Sequence, residues 1–333
     1  MSNSPQTYPI IDLHCDLLHY LVKDPQANPN NTEDIGCAIP YLRDGNVKLQ
    51  VMAISSTEKP PDISLSGGQL EWFRLLLEDY SDSFRGVRDF SDAQNCPNNP
   101  KIGISASIEN ASVLVNETEP IEIGLDRLNQ ILEVAGKVLY ISLTHHLENR
   151  FGGGNQCDIG IKTDGRFMLN FLSGRNIAVD LSHTSDQLAW DIIEHIDTHG
   201  LRIPLIASHS NFREISNHPR NLPDDLAKII IDRKGLIGMN FVRAFLHPTD
   251  IKILRKNIEH GLSLGAENVI CLGADYFYTK DHPDQSRVPF YLEGMEHAGR
   301  YQELLNSMKA DLGEEMLNKI SHRNVLNFLE KIW

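Results

Sequence analysis

His14 and Asp16 stand two positions apart at the end of the first apolar run of the chain. In an extended segment, residues two apart project to one side, so Asp12, His14 and Asp16 are expected to share a face while Leu13 and Cys15 pack on the other. An imidazole and a carboxylate so placed can reach one divalent cation. Further groups close later apolar runs: Glu109 after 102–108, His183 in Val179-Asp-Leu-Ser-His183, His209 in Ile206-Ala-Ser-His209, and Asp275 after 268–274. His145 and His146 follow another such run, and the alternation of faces does not choose between them. A glutamate carries two oxygens and can serve two cations at once. The groups therefore resolve into His14, Asp16 and Glu109 on one ion and Glu109, His183 and His209 on a second. Mixed nitrogen and oxygen ligation suits a pair of Zn2+ ions, with Mn2+ or Fe2+ as alternatives. Two such ions about 3.5–4 Å apart hold a hydroxide at neutral pH, the nucleophile of a hydrolase. Taken singly, each residue reads as a solvated strand end or a satisfied core histidine. Their recurrence at the ends of successive apolar runs argues for chemistry.

The elements that must position them are legible as apolar runs at 8–13, 47–56, 102–108, 138–144, 176–182, 203–208, 235–241 and 268–274. Helical spacing falls between most of them, in Gln69 to Tyr80, Leu125 to Ala135, Arg166 to Leu172, Gln187 to Ile196, Asp224 to Ile231 and Ile251 to Leu264. Pro223 followed by Asp224 and Asp225 marks a helix start. Strands alternating with helices imply parallel pairing, and eight of them imply a (β/α)8 TIM-type barrel with a helical C-terminal region. In such a barrel the strand ends converge on one face, which would gather the ionisable groups. The segments 91–100 and 278–290 read as loops, and no composition shift divides 1–333 into separate domains. No G-x-G-x-x-G follows a strand, which weakens a dinucleotide-binding reading.

The 333 residues carry a net charge of −14, from 31 basic and 45 acidic residues, and show no local basic stripe. Nucleic acid is therefore not an expected partner. The start of the sequence lacks the pattern of a signal peptide and no apolar stretch is long enough for a membrane span, so a cytoplasmic protein without membrane contact is expected. The five cysteines include no C-x-x-C pair, which leaves histidine and carboxylate as the metal ligands.

These residues resemble the membrane (renal) dipeptidase family of zinc metallopeptidases, among the amidohydrolase-like barrels. The segment Ile10 to Leu17 is similar to the family's first-strand motif, and Gly165-Arg166 with Ile177 to Ser185 is similar to its fifth-strand block. Ser208-His209-Ser210 with Arg220 to Asp225 resembles the next block, and Leu272 to Asp275 the eighth strand. The resemblance implies the metal ligands His14, Asp16, bridging Glu109, His183 and His209. It places on His145 the histidine that binds substrate and steadies the oxyanion, and on Arg220 the arginine that pairs with the substrate's C-terminal carboxylate. On Asp275 it places the proton shuttle. The implied substrate is a small dipeptide, and a homodimer is compatible with the resemblance. Two positions depart from the pattern: Tyr276-Phe277-Tyr278 stands where the family usually shows Phe-Asp-Gly, and Asn110 where Gly is common. A different eighth loop and pocket wall are expected to alter substrate preference more than the hydrolytic chemistry. The competing readings are another metal-dependent amide or ester hydrolase on the same barrel, and a metal-binding homologue without catalysis.

Overall fold

Parallel strands form near-continuous apolar runs only when both faces of the sheet are covered. The computed structural model describes residues 6–56 and 63–333, and in it the runs become β1 (Ile10–Cys15), β2 (Val47–Ser55), β3 (Phe84–Gly86), β4 (Ile102–Glu109), β5 (Val138–Ser142), β6 (Ala178–Asp180), β7 (Leu205–Ile206), β8 (Ile237–Met239) and β9 (Ile270–Leu272). Every strand pairing is parallel, in the order β7-β6-β5-β4-β2-β1-β9-β8, with β3 paired to β4 off this path. Ala207, just past β7, bridges to Ile237 of β8, where its N–H donates to the Leu236 carbonyl at 2.8 Å and its carbonyl accepts from Gly238 at 2.8 Å. The ring thus closes as a (β/α)8 barrel of eight strands, with β3 as an outer addition.

Most intervening helices fall where spacing places them. Helices span Ile63–Glu78, Ile121–Ala135, Thr163–Leu172, Asp186–His199, Asp224–Asp232 and Ile253–Ser263. The last four strands are shorter than their apolar runs at both ends. The segment 91–100 is not a plain loop. Asp89 accepts from Asp92 N and caps a short helix, Phe90–Asn95, which a 3-10 turn continues to Asn98. Two short helices, Leu17–Lys23 and Ile39–Asp44, and strand β3 have too few residues for periodicity to mark them.

The core has two parts. The larger holds the strand faces that meet the surrounding helices. The smaller joins Ile11, Val51, Tyr140 and Ile206 to Phe328 and Leu329 of the C-terminal helix Asn324–Ile332. Asn324 donates to the carbonyls of Glu267 at 3.1 Å and Ile270 at 2.8 Å, at the beginning of β9. The C-terminal helix therefore covers the end of the barrel opposite the strand C-termini, which stay open.

Candidate metal centre

Asp12 departs from the expected alternation. The register of β1 breaks between Asp12 and Cys15, and the Asp12 carboxylate is taken up by Tyr301 Oη, by Gln50 Nε2 at 3.3 Å, by His14 N at 2.8 Å and by Ala274 N at 3.3 Å. A carboxylate committed to these donors is a structural anchor, and Asp12 does not share the ligand face of His14 and Asp16. Cys15 is buried in the core, as expected.

The remaining groups meet around one glutamate oxygen. Glu109 Oε1 lies 3.1 Å from His183 Nε2, 3.3 Å from His209 Nε2 and 3.7 Å from His14 Nε2. His14 Nε2 is also 3.8 Å from Asp16 Oδ2 and 3.7 Å from Asp275 Oδ1. Two sets whose donor atoms all lie within 4.8 Å of one another are His14, Asp16, Glu109 and Glu109, His183, His209, so Glu109 is common to both. Two others are His14, His209, Asp275 and His145, His146, His183.

Local backbone geometry aims these side chains. Asn110, His183 and Asp275 occupy the left-handed region at φ 69, 66 and 63, which turns the chain sharply at three strand ends. Such conformations cost energy in non-glycine residues and persist only where the surroundings enforce them. Asn110 is held by its Nδ2 on the Ser56 carbonyl at 3.0 Å and by Asn149 Nδ2 on its Oδ1 at 2.9 Å. Immediately after His183, Ser185 Oγ accepts from Leu188 N at 2.9 Å and starts the next helix. His209 is fixed from behind by two glycines. A Cβ at Gly238 would fall 1.9 Å from the Ser208 carbonyl oxygen, and one at Gly273 would fall 2.0 Å from it, so no side chain fits at either place.

Two tautomers follow from the hydrogen bonds. Tyr140 Oη donates its proton to the Leu13 carbonyl at 3.0 Å, so at 2.7 Å from His14 Nδ1 it must accept. Ser208 Oγ donates to Asp180 Oδ2 at 2.6 Å, so at 2.6 Å from His209 Nδ1 it too must accept. Both imidazoles therefore carry a hydrogen on Nδ1 and turn Nε2 toward Glu109. Such outer partners orient metal-binding histidines. Asp180 is fully buried and also accepts from Ser142 Oγ, Ser182 N and Ser208 N. Spacing along the chain does not mark Tyr140, Asp180 or Ser208 as partners of these histidines. A carboxylate inside an apolar strand, Val179-Asp180-Leu181, was the available signal.

The donor set fits divalent cations. His14 Nε2 is buried with no hydrogen-bond partner, and His183 Nε2 and His209 Nε2 face each other at 3.0 Å. Burial opposes a proton on His14, but Tyr140, Glu109 and Asp16 outweigh it and raise its pKa well above the ordinary value, so this position favours positive charge. Burial, followed by the neighbouring cations and imidazoles, holds His145, His183 and His209 well below the usual histidine range, leaving neutral imidazoles. Glu109 is pushed up to about 8 by burial, with Asp16 and Asp275 adding to the rise. A buried cluster of this kind is costly unless a cation neutralises it.

A cavity of about 730 Å³ opens above these groups, with Glu109, His145, His183 and Asp275 in its lining. The His145 ring centroid lies 4.2 Å from that of His183, while His146 Nδ1 pairs with Asn155 Oδ1 at 2.9 Å. Asp275 Oδ2 accepts from Asn240 Nδ2 at 2.8 Å, and burial raises the carboxyl to about 6. Arg220 sits one layer behind the wall, its guanidinium carbon 5.6 Å from the ring of cavity-lining Phe245. Its Nη1 donates to Ser210 Oγ at 2.8 Å and its Nη2 to the His209 carbonyl at 3.0 Å, while Nε is buried without a partner.

The sequence profile of the membrane dipeptidase family, peptidase family M19, matches residues 4–332. The chain belongs to this family. It is a metal-dependent dipeptidase by class, and its barrel is that of a solved family member. It is 25% identical over 281 residues to an uncharacterized protein in the pqqA 5' region of Klebsiella pneumoniae, covering 80% of this chain and 95% of that one. Among solved structures it is similar to a metallo peptidase from Rhodobacter sphaeroides liganded with a phosphinate mimic of the dipeptide L-Ala-D-Ala, with a TM-score of 0.84, 18% identity and 98% and 100% of the two chains covered. It is also similar to the dipeptidase AC, a metallo peptidase of family M19, with a TM-score of 0.82, 20% identity and 98% and 99% covered. These two structures share the barrel. Among the described residues, no helix of this dipeptidase family member is long and apolar enough to cross a membrane.

Proposed function

We propose that the chain hydrolyses the peptide bond of small dipeptides with two Zn2+ ions, one on His14, Asp16 and Glu109 and one on Glu109, His183 and His209. The observation that carries this reading is a single buried Glu109 oxygen 3.1 to 3.7 Å from three imidazole Nε2 atoms. When bound, a pair of divalent cations there supplies Lewis acidity and lowers the pKa of water toward about 7.

The protein's own groups do the rest. The neutral His145 imidazole donates an N–H toward the oxygen that gains charge, an effect worth about 3–4 kcal/mol for a well-placed donor. Asp275, held by Asn240 at 2.8 Å, accepts the nucleophile's proton and returns it to the leaving amine. Arg220 has five N–H donors, and its buried unpartnered Nε suits a carboxylate brought in by the substrate. The experiment is metal analysis with a dipeptide assay on the purified chain, before and after chelation and zinc restoration. A panel containing L-Ala-L-Ala and L-Ala-D-Ala is expected to be cleaved only by the zinc-loaded form. Hydrolysis untouched by chelation, or loss of the dipeptides in favour of a lactone or phosphoester, rejects the assignment.

A further inference from the structure

The wall of the cavity carries a guanidinium that the hydrolytic reading leaves without a task. Arg287, in the segment that follows β9, lines the cavity beside Phe245, Phe277 and His282. Its Nη1 lies 3.1 Å from His282 Nε2, and its carbonyl accepts from Arg243 Nη2 at 2.8 Å, so both ends of the residue are anchored. Burial, then Arg287 itself, lowers the pKa of His282.

Among the described residues Arg287 forms no salt bridge, although the Asp284 carboxylate is near enough to feel its charge. Lys162, the other long cation in the lining, is paired with Glu148 at 2.5 Å. Among the described residues no carboxylate pairs with Arg287, and the neighbouring Asp284 carboxylate instead accepts from Ser286 N at 3.1 Å and from Ser286 Oγ. The adjoining wall is aromatic and apolar, so an anion brought to Arg287 is less screened than at an open surface. The cavity volume of about 730 Å³ leaves room beyond the smallest dipeptides, since small-molecule sites span about 300–1,000 Å³.

Arg287 and Arg220 both lie against one aromatic ring. The guanidinium carbon of Arg220 lies 5.6 Å, and that of Arg287 5.9 Å, from the centre of the same Phe245 ring. Resting on the dipeptidase reading, we infer that Arg287 is a specificity-determining residue: with the α-carboxylate of the C-terminal residue on Arg220, Arg287 binds the side-chain carboxylate of a C-terminal Asp or Glu. The preferred substrates are then dipeptides ending in an acidic residue.

The test compares kcat/KM of the zinc-loaded full chain on L-Ala-L-Glu, its neutral isostere L-Ala-L-Gln, the reversed L-Glu-L-Ala, and L-Ala-L-Lys. The wild type is expected to favour L-Ala-L-Glu over L-Ala-L-Gln by about tenfold or more, through KM, as for a hydrogen-bonded charge pair. Arg287→Gln should bring that ratio toward one, and Arg287→Glu should move the preference to L-Ala-L-Lys, a reversal that a merely structural role does not produce. Arg220→Ala should raise KM for the whole panel yet keep the Glu to Gln ratio. If L-Ala-L-Gln is cleaved but the wild type shows no acidic preference, or Arg287→Gln keeps it, the inference is wrong and the dipeptidase reading stands. A preference for L-Glu-L-Ala overturns the C-terminal assignment. Absence of cleavage of every dipeptide rejects the proposed function and this inference with it.

Discussion

His183 and His209, 26 positions apart in the chain, bring their Nε2 atoms to 3.0 Å of each other, with Glu109 Oε1 beside both. Each histidine follows a short strand, β6 and β7, and those strands are adjacent and parallel. Neighbouring strands lie about 4.8 Å apart, so equivalent positions just beyond two strand ends deliver side chains to one point. The consequence is a site whose ligands can be removed one at a time.

Removing His183 should cost one metal equivalent, whereas removing the carboxylate shared by both ligand sets should cost more. His183→Ala and Glu109→Gln are therefore expected to differ in bound zinc by elemental analysis while both lose kcat by orders of magnitude. Full zinc content and full activity in a folded His183→Ala protein contradict the ligand assignment.

The Asp180–Ser208–His209 chain of bonds should tune affinity without touching the cations. Ser208→Ala removes the acceptor at 2.6 Å from His209 Nδ1, and zinc binding measured by chelator competition is expected to weaken about 10–100-fold. Unchanged affinity would show that tautomer control at His209 is immaterial.

Arg220→Ala should raise KM about tenfold or more for dipeptides with a free C-terminal carboxylate, with kcat less affected. Dipeptide amides supply the control, because they lack the charge. An equal KM increase for acids and amides would remove Arg220 from carboxylate binding.

Gly273→Ala places a Cβ 2.0 Å from the Ser208 carbonyl oxygen, and backbone cannot yield as a flexible side chain can. Overpacking costs about 1–3 kcal/mol where neighbours can shift, and this contact is with backbone. Thermal denaturation should report a lower midpoint, accompanied by weaker zinc binding through displaced His209. A variant as stable as the wild type would mean that β9 can move away freely.

His322, in the C-terminal helical region far along the chain from the ligands, should make stability depend on pH. Burial, then Arg323, lowers its pKa to about 4 from the ordinary 6.5. Between those values the unfolded chain binds a proton that the folded one refuses, so stability rises with pH there. Its contribution is therefore complete above about 6.5 and is lost as pH falls through about 4. His322→Gln should flatten the slope of denaturant midpoint against pH between about 4.5 and 6.5; an identical slope would place the titrating group elsewhere.

By itself the amino-acid sequence determined the alternation of strand and helix and the polar residues that end each strand. A strand buried on both faces must be apolar along its length, and this leaves its first ionisable residue conspicuous. Tertiary structure decided what alternation could not. The break in β1 sends Asp12 to Tyr301 and Gln50 while His14 turns to Glu109, a change of local backbone that no two-residue period encodes. It also placed Tyr140 behind His14 across 126 positions and set Arg287 and Arg220 on one phenylalanine ring, because such meetings depend on how the barrel closes and not on spacing along the chain.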